Sequence, residues 1–206
     1  MYWFLIHSND IQNLVITGSE ALSGEMLKLS SEDILMTPKI LNWMVEYYNA
    51  IYKMHNFWKP FEKGTDDSII ICVSINKFER CQIGSEIFSS EMSYWHNTNS
   101  YILVKFIMNA DEVDCYPDQI QYFFKHTINL PEEDFKHNLA YVWWYKPANS
   151  QYHFSIDDDE QTCNVEFWNK DFYQESQNCI IPVHHILRRF VLVKYKISTH
   201  QTQLNI

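Results

Sequence analysis

Seven short runs rich in β-branched and aromatic residues constrain the fold of this chain more than any other feature of its sequence. Turn-like stretches containing Asn, Asp, Pro and Ser separate several of them. Short runs at near-regular spacing are typical of antiparallel sandwiches and barrels, whereas a parallel sheet needs strands that alternate with long helices. The runs cover residues 69–75, 101–108, 120–128, 139–145, 152–156, 163–168 and 190–197.

A segment ahead of these runs predicts one helix, over residues 38–53. Thr37 offers an N-cap oxygen, Pro38 fits the first helical position, and apolar side chains recur at helical spacing as far as Tyr52. A loop with turn and charge signals follows over residues 55–67. We therefore predict an α+β chain, mainly antiparallel β, with an N-terminal region (1–66) and a β module (67–206).

The composition excludes several classes of protein and function. The chain has 206 residues, of which 46% are hydrophobic, and this is incompatible with disorder. Its 16 Lys and Arg against 26 Asp and Glu give a net charge of −10, which argues against wholesale phosphate binding and favours a basic partner. Four glycines leave almost no place for a glycine-rich phosphate loop.

The cysteines and the hydropathy pattern indicate the compartment. Five cysteines, an odd number, favour reduced thiols in an intracellular protein over a disulfide framework. The apolar opening, residues 1–6, is shorter than a signal-peptide core, and no run approaches the ~20 apolar residues of a membrane helix. We expect a soluble chain with no membrane partner; its oligomeric state is left open.

Catalytic and metal-binding patterns are weak. A Gly-x-Ser-x-Gly elbow is missing. Cys179 and His184 form a single pair without the second pair of a structural zinc site, and His184 and His185 would point to opposite faces of a strand. We therefore predict no enzyme, no metal and no cofactor. A degenerate enzyme whose residues meet only in the folded chain leaves no local trace and remains an alternative.

Four basic residues close to the end of the chain suggest a nucleic-acid patch: Arg188, Arg189, Lys194 and Lys196. If residues 190–197 form a strand, the two lysines share one face. Four charges would give modest, salt-sensitive affinity, and the wet side of a sheet has the same pattern. DNA contact is therefore kept as an alternative function.

Aromatic residues suggest a different kind of site. Tyr141, Trp143 and Tyr145 alternate on one face of a predicted strand, and a second layer or the surface must accommodate one face. Rings around a pocket hold an ammonium group by cation–π attraction, and a nearby carboxylate adds charge complementarity. The alternative is that these rings fill the core or support an interface.

Three motifs in the second half resemble bromo-adjacent homology (BAH) domains. Tyr141-Val-Trp-Trp-Tyr-Lys-Pro147 is similar to the strand motif of that family, which ends in a turn. Val165-Glu-Phe-Trp-Asn-Lys-Asp171 resembles its Glu-Leu-Phe segment, and Cys179-Ile-Ile-Pro-Val-His-His-Ile186 resembles the region before its last strand. The acidic residue that often follows the turn is not matched, since Asn149 and Ser150 stand there.

A second resemblance extends over nearly the whole chain, to a large fungal family of proteins thought to derive from mobile elements, and it brings no known activity. It is carried by the segments 18–20, 118–126 and 180–184. The BAH resemblance implies a distorted SH3-like barrel in a nuclear, chromatin-type module that binds a basic protein or a histone-tail-like peptide. The predicted peptide-binding residues are Trp143, Tyr145, Asp157, Asp158 and Asp159. The first alternative is a DNA-contacting accessory domain of a transposon-derived protein.

Overall fold

The computed structural model describes residues 16–27, 33–62, 64, 67–93, 97–109, 112–131, 133–147 and 168–193. Within these residues the chain forms one α-helix, α1 (Pro38–Ile51), and thirteen strands. The strands are β1 (Gly24–Leu27), β2 (Asp33–Leu35), β3 (Asn56–Trp58), β4 (Ser68–Ile70), β5 (Ser74–Phe78), β6 (Arg80–Ile83), β7 (Glu86–Ser89), β8 (Tyr101–Asn109), β9 (Glu112–Asn129), β10 (Asp134–Pro147), β11 (Trp168–Phe172), β12 (Ile180–Pro182) and β13 (Ile186–Arg189).

The predicted helix is confirmed, and it begins as the sequence indicates. Thr37 is the N-cap, and its Oγ1 atom accepts a hydrogen bond of 3.3 Å from the Ile40 amide. The helix ends at Ile51, two residues before the predicted end. Its apolar stripe faces the sheet, and both Met44 and Tyr48 are fully buried.

The long strands β9 and β10 form the centre of an eight-stranded sheet. They pair antiparallel from Asn129 and Asp134 to Asp118 and Trp144, with a bulge after Tyr141. On its other edge β9 pairs with β8 and, further along, with β5, while β10 pairs with β12 and then with β11. The pairs β2–β5 and β8–β13 extend the sheet, and all of these pairings are antiparallel.

The central sheet is buried on both faces. On one face, Met44 and Tyr48 of α1 pack with Phe124 and Leu139 of the sheet. On the other face, the small sheet β1–β6–β7 contributes Met26, Cys81 and Phe88, which pack with Phe123 of β9 and Val142 of β10, among others. The alternation predicted for β10 is therefore confirmed, because Tyr141 and Val142 belong to different cores.

The predicted strands differ from the structure in several places. Residues 101–108, 120–128 and 139–145 are strands, and β9 and β10 are longer than predicted. Of the run 69–75, the first two residues belong to β4 and the last two to β5, and residues 71–73 connect the two strands. The predicted loop 55–67 contains β3, which forms a short parallel pair with β4. The predicted strand 152–156 and residues 163–167 of the predicted strand 163–168 lie outside the described residues, and Trp168 is the first residue of β11.

Near the end of the chain the described residues differ from the expected strands in two places. The last described strand, β13, ends at Arg189, residues 190–193 of the predicted strand 190–197 are irregular, and residues 194–197 lie outside the described residues. Val191 is 86% exposed, so no neighbouring strand covers it. His184 and His185 lie in a 3₁₀ turn, Val183–His185, and not on a strand, because Pro182 ends the pairing of β12 with β10.

Mainly antiparallel β structure with one helix is the observed fold class. The sheets formed by the described residues do not close into a barrel, so the SH3-like barrel stays a prediction. Strands pair across the predicted boundary at residue 66: β1 pairs with β6, and β2 pairs with β5. Within the described residues, no helix has the length and apolar character needed to cross a membrane.

Candidate functional site

Trp143 and Tyr145, the two aromatic residues predicted to contact a peptide, both pack against Phe172. Tyr145 pairs with Phe172 across β10 and β11. The Phe172 ring centroid lies 5.3 Å from that of Trp143 and 4.5 Å from that of Tyr145. Tyr145 is only 7% exposed, and burial raises the pKa of its phenol to about 12. Trp143 is partly exposed and is therefore the more accessible of the two.

The carboxylate of Glu175 lies beside Trp143. Its Oε1 atom accepts a hydrogen bond of 2.9 Å from Trp143 Nε1 and one of 2.6 Å from the Tyr141 hydroxyl. The ammonium group of Lys39 donates to Oε2. The bonds from Lys39 and Tyr141 hold the pKa of Glu175 below its usual value. The carboxylate is therefore charged at neutral pH and has a fixed orientation.

The ammonium group of Lys39 also lies over an aromatic ring. Its Nζ atom is 4.7 Å from the centroid of the Trp43 ring, one turn along α1. The Trp43 ring stacks on that of Tyr141, with centroids 6.2 Å apart and planes inclined by 23°. A carboxylate attracts an ammonium group through a charge-assisted hydrogen bond, and an indole face attracts it more strongly than the other aromatic rings do. We call this cluster the Glu175 site: Lys39, Trp43, Tyr141, Trp143, Phe172 and Glu175.

The main chain after Glu175 is held independently of Lys39. Ser176 caps a 3₁₀ turn, Gln177–Cys179, by accepting a hydrogen bond from the Asn178 amide. Cys179 is buried in the core beneath α1, and Trp144 Nε1 donates to the Asn178 carbonyl at 2.9 Å. The position of the Glu175 carboxylate is therefore set by β10 and by the 3₁₀ turn that follows Glu175.

A second lysine lies over the aromatic rings next to the Glu175 site. Tyr122 is opposite Tyr141 in the β9–β10 register, with ring centroids 5.2 Å apart. Lys77 Nζ is 3.9 Å from the Tyr122 centroid, and burial lowers the pKa of this lysine. The row Trp43, Tyr141, Tyr122 thus attracts a cation at each end, but Lys39 alone of these two lysines pairs with the Glu175 carboxylate.

Sequence reasoning identified Trp143 and missed the residues that complete the site. Glu175 lies thirty-two positions after Trp143, and Lys39 and Trp43 belong to the helix assigned to a separate region. The relevant signal in the sequence was the pair Tyr141 and Trp143, whose O–H and N–H groups usually find hydrogen-bond acceptors when the rings are packed. It did not indicate which carboxylate would accept.

The other predicted site residues are placed only in part. Asp157, Asp158 and Asp159 lie outside the described residues, and their role stays a prediction. Arg188 and Arg189 lie on β13, where Arg189 Nε contacts Glu86 Oε2 at 3.2 Å. Lys194 and Lys196, the remaining members of the predicted nucleic-acid patch, also lie outside the described residues.

The described part of the chain brings no three His, Cys, Asp or Glu side chains into an arrangement that could hold a metal ion. Buried histidines do occur under α1, where burial lowers the pKa of His126, and lowers that of His137 to about 4. They lie in the core. An open groove beyond the end of α1 is lined by Lys53, Met54, His55, Asn56, Asp67, Ser68, Ile69 and Pro131.

No protein-family model, no curated protein and no solved structure matches the chain. The geometry of the Glu175 site is therefore the main physical ground for assigning a function.

Proposed function

We propose that the chain is a non-catalytic interaction module that binds a basic peptide or a basic segment of a partner protein at the Glu175 site. The observation that carries this proposal is the position of the Lys39 ammonium group, between the Glu175 carboxylate and the Trp43 ring. A site that holds one lysine side chain in this way has the chemistry to hold another.

The acceptor is organised before any ligand arrives. Two ring donors, Tyr141 and Trp143, fix one oxygen of Glu175 and leave the other facing a cation. Preorganised charge-assisted hydrogen bonds are about twice as strong as neutral ones. The net charge of −10 favours the approach of a positive ligand and makes the association rate dependent on salt.

The proposal includes what the BAH resemblance implies, a chromatin-type partner such as a histone tail, a nuclear location and an SH3-like barrel. An experimental structure that covers residues 148–167 would test the barrel. Imaging of a tagged chain would test the location. Origin from a mobile element, which the fungal resemblance implies, is also part of the proposal.

The binding proposal is tested by titrating a fluorescent peptide, Ala-Ala-Lys-Ala-Ala with blocked ends, into the full chain and into Glu175→Gln. Glutamine keeps the shape but removes the charge that the ammonium group contacts. We expect Glu175→Gln to weaken binding by about 10- to 150-fold, the equivalent of one charge-assisted hydrogen bond. Glu62→Gln is the matched control, because Glu62 is also paired with a lysine, Lys59, at 2.6 Å.

Equal affinity of Glu175→Gln and the unchanged chain for the peptide would overturn the proposal. So would binding of duplex DNA in preference to the peptide, if Arg188→Ala weakened it with a steep salt dependence. That second result would establish the alternative function, DNA contact, in its place.

A further inference from the structure

Lys39 occupies an unfavourable position in its own helix. It follows Pro38 in the first turn of α1, where the helix carries partial positive charge, and that turn contains no acidic residue. Its side chain is 58% exposed. The helix therefore does not stabilise the ammonium group there, and Glu175 and Trp43 provide the described contacts that hold it.

We propose that Lys39 is an internal occupant of the Glu175 site, which the lysine of a bound partner must displace, and that the displacing cation carries at least one N–H group. This inference rests on the proposed function and adds to it a regulatory contact and a ligand class. It makes the closed form of the site, with Lys39 inside, the resting form of the chain.

The Glu175 carboxylate keeps its position when the Lys39 side chain leaves the site. Glu175 Oε1 keeps its bonds to Tyr141 and Trp143, and the main chain is held by the capped turn after Ser176. The side chain of Lys39 is flexible, and its ammonium group can rotate away from Glu175 into solvent. Displacement therefore requires a side-chain movement only, and no rearrangement of the sheet.

The contact between Lys39 and Glu175 defines the ligand class. The ammonium group donates an N–H to Oε2, which demands a hydrogen on the nitrogen. Unmodified, monomethylated and dimethylated lysine all carry one. Trimethyllysine does not, and its methyl groups hold the nitrogen away from the carboxylate. Trimethylation of the peptide should therefore weaken binding.

The two contacts that Lys39 makes determine how strongly the closed form of the site is favoured over the open form. An exposed ion pair and an exposed cation–π contact are both weak interactions. Together they correspond to a closed form favoured by about 3- to 30-fold over the open one. The apparent affinity of a ligand is reduced by the same factor, since a ligand binds only the open fraction.

The test compares the peptide titration in the full chain, Lys39→Ala and Lys53→Ala. Alanine removes the ammonium group from the Glu175 site and is a better helix former than lysine. Lys53, exposed just beyond the other end of α1, is the matched control for loss of one positive charge. We expect Lys39→Ala to bind the unmodified peptide about 3- to 30-fold more tightly, Lys53→Ala to bind as the unchanged chain does, and the trimethylated peptide to bind more weakly than the unmodified one.

The outcomes separate this inference from the function on which it rests. If the unchanged chain and Lys39→Ala bind the peptide equally, and Glu175→Gln binds it poorly, the proposed function is supported. The proposal that Lys39 competes with the ligand for the Glu175 site would then be wrong. If none of the variants binds the peptide, both are wrong. Stronger binding of the trimethylated peptide would overturn the ligand class. Lys39→Gln, which keeps a long side chain without its charge, repeats the test should Lys39→Ala fold poorly.

Discussion

The hydroxyl group of Tyr48 in α1 donates a hydrogen bond of 2.7 Å to Nδ1 of His126 in β9. Nε2 of the same ring donates to the Cys72 carbonyl at 2.9 Å and therefore carries a proton, and because burial lowers the pKa of this ring the imidazole is neutral, with Nδ1 as the acceptor. Directly across the strands His137 opposes His126, and its Nε2 atom lies 2.8 Å from the Tyr52 hydroxyl. Hydrogen bonds from Tyr48 and from the C-cap residue Tyr52 thus connect α1 to a pair of neutral, buried histidines.

These histidines predict that the chain loses stability in mild acid. Burial lowers the pKa of His126, and that of His137 to about 4, whereas in the unfolded chain both have the ordinary value near 6.5. Below pH ~6.5 the unfolded state binds protons that the folded state does not, so stability is complete above that pH and falls below it. The slope is at most about 1.4 kcal/mol per pH unit for each histidine and, for His137, ends near pH 4.

Urea unfolding at several values between pH 7.5 and pH 4.5 measures this loss. A matched control is His137→Gln, which keeps a polar side chain without the titration. The slope should be smaller in this variant. Asp118, whose pKa is raised, contributes a slope of the opposite sign over this range, so the test is the comparison of the two proteins. Equal slopes in the unchanged chain and in His137→Gln would contradict the prediction.

Tyr48→Phe should destabilise the chain by about 1–3 kcal/mol, because it removes a hydroxyl and leaves the buried His126 Nδ1 without its donor. Thermal and urea unfolding measure the change. Tyr173→Phe is the control: Tyr173 is 52% exposed, and an exposed substitution of this kind should shift stability by less than about 0.5 kcal/mol. Equal effects of the two substitutions would show that the bond to His126 contributes nothing.

Asp118→Asn should stabilise the chain at neutral pH. Asp118 in β9 is fully buried, and neither of its carboxylate oxygens has a hydrogen-bond partner among the described residues. Burial raises its pKa well above the ordinary value, so the folded state must bind a proton that the unfolded state has released. This costs about 1.4 kcal/mol for each pH unit above ~3.9, up to the raised pKa.

The advantage of Asp118→Asn should therefore shrink as the pH falls towards 4, where the unfolded carboxyl also binds its proton. Melting temperatures of the two proteins at pH 7 and pH 4 test this sign. A variant that is less stable than the unchanged chain at pH 7 would show that the carboxylate has a partner that stabilises its charge.

Gly18→Ala should cost more stability than Gly84→Ala. Both glycines have a positive φ, of 89° and 59°, which an L side chain adopts at a cost of about 1–2 kcal/mol. At Gly18 an added Cβ would also lie 2.9 Å from Leu139 Cδ2 and 3.1 Å from the Asn138 carbonyl oxygen, whereas at Gly84 it meets nothing within 4 Å. Urea unfolding of the two variants measures the difference. Identical losses of stability would mean that the β10 residues near Gly18 can move to accommodate the added Cβ without a loss of free energy.

The sequence predicted those elements whose own residues determine them. Thr37 and Pro38 set the start of α1, and the alternation around Tyr141 placed the two faces of β10. Strands of three or four residues such as β3 were missed, because so few positions carry no periodicity and their pairing depends on distant partners. Residues 190–193, the described part of the predicted strand 190–197, are irregular for the same reason, since β-branched residues alone do not provide a neighbour to pair with.

Of the six residues of the candidate site, only Trp143 was predicted from the sequence to contact a ligand. Trp143 followed from local alternation, but Glu175 is brought to it by the turn after β11, and Lys39 by the packing of α1 on the sheet. No spacing rule links these positions, because the fold and not the chain order makes them neighbours.

The division of the Glu175 site among three distant segments has a practical consequence. Lys39 and Trp43 come from the first quarter of the chain, Tyr141 and Trp143 from its third quarter, and Glu175 from its last. Neither fragment produced by a cut near residue 66 would carry a complete set of contacts. Recognition at this place is thus a property of the whole polypeptide, and separating the fragments after a cut between the segments would abolish it without changing any of the residues involved.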